Sequence, residues 1–170
     1  MLAGTLMTVV RVSTQDHVIA TWDRVMILIF RVESTMAAVR DAQGVFDNLA
    51  HEHSGGVFLL TIVERDARMP SVVVRGALAE FLAQAAGRMV LSAVVYEGTG
   101  FRATAVRSVV SGLAMLTNYP YPHKVFPRVE AAANWFRTSS PVGRAWREGD
   151  LVDAVAQVRG RHPELTNSPH

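Results

Sequence analysis

Cysteine is absent from all 170 residues. That one fact excludes disulfides, thiol catalysis, zinc ribbons and iron–sulfur clusters, and it is compatible with a reducing compartment. Lysine is almost as scarce: Lys124 is the only one, and the other cations are arginines. The net charge of +2 is too small, and the lysines too few, for the clustered basic stripe that nucleic acid calls for. No nucleic-acid partner is expected. Long apolar runs are missing too. The most apolar one, Val25 to Phe30, is far short of the roughly 20 residues that cross a bilayer as a helix. Met1 to Val12 has neither a basic leader nor a long apolar core, so it does not read as a signal peptide. The expectation is a cytoplasmic protein with no membrane span.

What is present suits a packed core. Hydrophobic residues make up 49% of the chain and charged residues 19%, a balance that fits one domain with a short appendage. Leu6 to Val12 and His17 to Trp22 read as strands, and Asp23–Arg24 separates the second from Val25 to Phe30. That run has no polar alternation, which predicts a central strand covered on both faces. The close spacing of the three predicts an antiparallel start to the sheet.

A helix follows, capped by Ser34 or Thr35, with Met36, Val39, Val45, Phe46 and Leu49 at helical spacing. It stops near His53, before Ser54-Gly55-Gly56. Val57 to Val63 is a strand. Pro70 suits the first turn of a helix that runs to about Ala86. Val90 to Tyr96 is a strand, Gly98-Thr99-Gly100 a tight loop, and Phe101 to Leu116 a helix. Tyr121 to Phe126 reads as a short last strand, placed at an edge by Pro122. Pro127 then opens a helix bearing Val129, Ala132, Ala133, Trp135 and Phe136. Strands and helices that alternate after residue 33 imply parallel pairing with crossovers. Ser139-Ser140-Pro141 reads as a linker, Asp150 as the cap of a helix over Leu151 to Val158, and Arg161 to His170 as a loose tail.

This order of elements resembles the STAS domain, the fold of bacterial anti-sigma-factor antagonists and their stand-alone relatives. Carrying the resemblance are the strands Val57-Phe-Leu-Leu-Thr-Ile-Val63 and Val90-Leu-Ser-Ala-Val-Val-Tyr96, and the closing Val125-Phe126-Pro-Arg-Val-Glu-Ala-Ala-Ala-Asn-Trp135. It covers roughly residues 5 to 138 and implies an α/β fold: a mixed β-sheet with antiparallel N-terminal strands, then βαβα units, with helices packed on it. Residues 139–170 are expected to add a C-terminal extension of linker, short helix and loose tail. The resemblance also implies a signalling or scaffolding module that works through protein contacts and is not an enzyme. Antagonists of this kind carry a phosphorylated serine in an Asp-Ser-Ser-Gly-like turn. Here the corresponding stretch is Glu64-Arg-Asp-Ala-Arg-Met-Pro-Ser71, so the resemblance offers Ser71 as the phosphosite, whereas the residues themselves offer a helix cap beside Pro70.

Several groups invite chemistry. Gly98-Thr99-Gly100 leads into a helix N-terminus, where free N–H groups suit an anion, and Arg102 adds charge. This loop is the candidate site for a small anionic or lipid-like ligand, set against a plain strand-to-helix connection. Thr104, Arg107, Ser108 and Ser111 fall on one face of the next helix at i, i+3, i+4 and i+7, with small side chains and no acid, which marks a candidate interface with an unidentified protein partner or with a second copy in a homodimer. His51-Glu52-His53 contains metal-ligand types, but positions i and i+2 of a helix face apart. His17 and His123 have no acid or cysteine at ligand spacing. No metal site and no cofactor are expected. No Gly-x-Ser-x-Gly elbow and no defensible carboxylate pair occur, so no catalytic residue is named. Tyr119-Pro-Tyr-Pro122 reads as a stiff lead-in to the final strand, and Trp146, with Val142, Leu151, Val152 and Val155, gives the extension an apolar side.

Overall fold

A computed structural model of the chain describes residues 6–160, apart from the side chains of Ala114, Leu116 and Thr117. Six strands are hydrogen-bonded in strictly sequential order. They are β1 (Thr8–Ser13), β2 (His17–Trp22), β3 (Val25–Phe30), β4 (Val57–Val63), β5 (Met89–Tyr96) and β6 (His123–Phe126). The first three pair antiparallel, and β3 through β6 pair parallel, as the spacing predicts. β3 is buried along its whole length, and β6, which follows Pro122, forms one edge. The short loop between β2 and β3 closes on Asp23, whose φ of 49° is a left-handed conformation that aspartate tolerates better than most residues.

Three crossover helices lie on one face of the sheet: α1 (Met36–Glu52), α2 (Val72–Ala85) and α3 (Gly100–Thr117). Thr35 caps α1, its hydroxyl accepting from the Ala38 N–H at 3.1 Å, and the stripe Val39, Ala42, Phe46 and Leu49 is buried against the sheet. α2 begins at Val72, later than Pro70 suggests, because the Ser71 hydroxyl accepts from the Val74 N–H at 3.3 Å and takes the capping position.

The opposite face carries α4 (Val129–Ser139) and α5 (Asp150–Arg159). Val18, Ala20, Ile27, Phe58, Leu60 and Val95 point to this side and meet Phe136 of α4 and Leu151, Val155 and Val158 of α5. The stretch after α4 is a compact corner. Ser140 is buried, and its hydroxyl accepts from the Gly143 N–H at 3.0 Å. A Cβ on Gly143 would stand 2.2 Å from the Phe136 carbonyl oxygen, so only glycine allows this turn to close against α4. Trp146 then enters the core, edge-on to Trp22 (5.0 Å between ring centroids) and Phe58 (5.3 Å). The helix after it starts one residue earlier than expected: Gly149, at φ 91°, holds the capping position, and Asp150 instead accepts from the Arg147 N–H at 3.1 Å. The extension thus docks on its own sheet through residue 159, while the segment 161–170, read as a tail, lies outside the described residues.

Candidate functional site

Parallel strands deliver their C-terminal ends, and the loops that follow, to one edge of the sheet, where α/β proteins commonly bind ligands. Gly98, Thr99 and Gly100 lie there, with Thr99 and Gly100 exposed. Gly98 has a structural reason: an added Cβ would sit 2.4 Å from the Tyr96 ring. The Arg102 guanidinium donates to the Ala67 carbonyl at 2.5 Å, in the turn that follows β4. Two carboxylates, Glu64 and Glu97, follow β4 and β5 and share Arg159 of α5 at 2.7 and 3.2 Å.

The outer face of α3 keeps the composition that singled it out. Thr104, Arg107, Ser108 and Ser111 are all exposed. The Ser108 hydroxyl donates to the Thr104 carbonyl at 3.0 Å, and that of Thr104 to the Gly100 carbonyl at 3.5 Å, so these hydroxyls turn back on their own helix. The side chains of Arg107 on α3 and Arg75 on α2 make no hydrogen bond or ion pair with the described residues. Between the two helices runs a groove lined by Val72, Gly76, Val109, Gly112, Leu113 and Met115. Val72 is 74% exposed and Met115 86%, and on the same helices Val73 is 70% and Phe101 90% exposed. Sequence reasoning missed these four. The signal was Val72-Val73-Val74: successive residues of a helix step about 100°, so three in a row cannot all face inward, and only Val74 is buried.

Beneath α2 and α3, against the sheet, lies a chamber of about 80 Å³. Its walls are largely aliphatic and aromatic, with Leu59, Phe81, Leu82, Val94 and Val110 among them. Ser34, Thr61, Arg68 and Tyr119 add polar atoms to the lining, and a polar pair stands on the sheet side. Ser92 of β5 and His123 of β6 are register partners, and the Ser92 hydroxyl lies 3.1 Å from His123 Nδ1. His123 Nε2 is buried without a hydrogen-bond partner among the described residues. Burial lowers the pKa of this imidazole to about 4, so it is neutral at physiological pH. The same cause, with Tyr119 beside it, raises the pKa of Tyr121 next to the strand. Tyr119 and Tyr121 stack at 5.0 Å, and Tyr119 lies 4.9 Å from the His123 ring.

The remaining histidines divide. His51 and His53 sit at the end of α1, and no cluster of three metal-ligating side chains occurs among the described residues. His17 does acquire an acid that the sequence spacing does not offer: its Nε2 lies 2.9 Å from Asp41 Oδ2, and its Nδ1 3.1 Å from the Thr14 hydroxyl. Among the described residues, no helix is long and apolar enough to cross a membrane.

No protein-family model, curated protein or solved structure matches this chain.

Proposed function

We propose that this chain is a non-enzymatic signalling or scaffolding module, STAS-like in kind, which recognises a protein partner through the outer face of α2 and α3. The observation that carries this reading is the exposure of Val72, Val73, Phe101 and Met115 on two helices where α3 has no acidic residue and Arg75 and Arg107 stand unpaired among the described residues. Large apolar side chains left in water beside a groove favour a partner that covers them. The unpaired guanidinium groups favour one that brings carboxylates. Two copies meeting through this face about a twofold axis would bring like charges together, so the charge pattern favours a different protein over a homodimer here.

The STAS-like part of the reading rests on the order of elements: antiparallel strands, then repeated strand–helix units in sequential order, then the short strand and amphipathic helix over 123–139. Ser71, exposed at the start of α2 and two residues from Val73, borders the same face. A phosphate added there would place negative charge at a helix N-terminus and beside the proposed contact.

The test is affinity capture from the native host with the wild-type chain and with the Val72→Asp/Met115→Asp double variant, together with light scattering of both. A protein retained by the first and lost by the second is the expected result. Equal retention by both, or a dimer that dissociates in the variant, would overturn the proposed partner.

A further inference from the structure

We propose that the chamber beneath α2 and α3 is a binding site for a compact, uncharged, mainly apolar organic molecule carrying one hydrogen-bond-accepting oxygen, which the Nε2–H of His123 would engage. This goes beyond the protein contacts proposed above and concerns the opposite side of the same two helices.

The hydrogen count at the polar end decides what the ligand must offer. Ser92 is 1% exposed, and among the described residues its hydroxyl meets only His123 Nδ1. If the hydroxyl donates to Nδ1, the proton of the neutral ring sits on Nε2, and one donor is left over. If Nδ1 donates instead, both the hydroxyl hydrogen and the Nε2 lone pair are left over. The first arrangement leaves fewer buried groups unmade and is the one the site favours. The leftover Nε2–H needs an acceptor, and among the described residues none lies within hydrogen-bond distance of it.

Charge and size narrow the class. A carboxylate or phosphate placed against this ring would leave water for largely aliphatic and aromatic walls, beside an imidazole that the same burial keeps neutral. At about 80 Å³ the chamber is roughly half the size of the engineered apolar cavity of about 150 Å³ that holds benzene in another protein. Its lining continues to the exposed Arg68 and the half-buried Met69 and Pro70 at the turn before α2, so a somewhat larger body can extend that way. A cyclic ketone of about six non-hydrogen atoms fits this description.

The probes are cyclopentanone, 13C-labelled at its carbonyl, and methylcyclopentane as the hydrocarbon of similar size. Both are titrated at millimolar concentration into the full chain and followed by amide NMR. Saturable shifts are expected around Ser92, His123 and Val110, with the bound ketone carbonyl downfield of its position in a hydrocarbon solvent because it accepts a hydrogen bond. In His123→Phe and His123→Gln the affinity for the ketone relative to the hydrocarbon should change, by about tenfold toward the hydrocarbon in the phenylalanine variant. The glutamine variant keeps a donor and should lose less. Either variant alone suffices if the other does not fold. Absence of saturation by both probes in the wild-type chain overturns the site. Binding of both with the carbonyl at its hydrocarbon-solvent position, the sign that His123 does not donate to it, overturns the role of His123.

Discussion

Trp146 donates its indole N–H to Asp23 Oδ2 at 2.7 Å, joining the C-terminal extension to the β2–β3 turn across 123 residues of chain. The ring itself fills the space between Trp22 and Phe58, so one side chain supplies both a polar tie and a packed aromatic cluster. Replacing it separates the two contributions. Trp146→Phe, which keeps most of the ring, should cost about 1 kcal/mol, whereas Trp146→Ala should cost about 3–5 kcal/mol. Urea denaturation curves of the two variants check the ordering, and equal losses would show that the packing is not what holds the extension.

Stability should fall in acid because of His123. Its pKa is lowered from 6.5 to about 4 by burial, so the unfolded chain takes up the proton first as the pH drops. The contribution is complete above pH 6.5 and is lost progressively as the pH falls toward 4. It amounts to roughly 3 kcal/mol at most. Chemical denaturation between pH 7.5 and 4 should show this slope in the wild-type chain and a shallower one in His123→Gln. Identical slopes would mean that the ring is not buried in its neutral form.

Asp41 Oδ2 accepts from the Nε2–H of the buried His17 at 2.9 Å. Asp41→Ala leaves the N–H unmade within the fold and should cost about 1–3 kcal/mol, while Asp41→Asn, which keeps a carbonyl oxygen, should cost less. Thermal unfolding of the pair decides it: a neutral Asp41→Ala would place the histidine in contact with water.

Glycines in the groove behave differently from the one at the corner. An added Cβ at Gly76 or Gly112 meets nothing within 4 Å, so Gly76→Ala and Gly112→Ala should each stabilise the isolated chain by up to about 1 kcal/mol. The same methyl groups would stand in the proposed contact and weaken partner capture. Gly143→Ala should destabilise by about 1–3 kcal/mol or more, since the Cβ meets backbone atoms of Phe136 and Arg137. Calorimetry of the three variants should show opposite signs for the groove and the corner.

Ser71 caps α2 whether or not it is ever modified. Ser71→Ala should cost about 1 kcal/mol, and Ser71→Asp, a good capping residue itself, should be close to neutral. Equilibrium unfolding of the two variants is the check, and a neutral alanine variant would remove the cap as the reason for the serine.

Much of the fold could be read from the residues because local pattern and tertiary role agree. Val25 to Phe30 has no polar alternation and is buried on both faces, and Thr35 caps where a hydroxyl should. The boundaries that moved did so for side-chain reasons: Ser71 displaced Pro70 from the helix, and Gly149 displaced Asp150 from the cap. The site was harder. Ser92 and His123 lie 31 residues apart and meet only because β5 and β6 pair in that register, and Asp41 reaches His17 only because α1 crosses back over β2. Periodicity reports which face a residue takes on its own element, not which residue another element sets opposite.

The sequential strand order also has a consequence for synthesis. Each strand finds its neighbour soon after it leaves the ribosome, and α1, α2 and α3 follow their strands directly. The other face has no such timing. Trp22, Ile27 and Phe58 wait uncovered until Phe136, Trp146 and Val155 emerge more than seventy residues after the last of them. A nascent chain paused before α4 would present a greasy sheet to its neighbours, which makes the stretch of translation between β4 and α4 the interval in which a chaperone has most to shield.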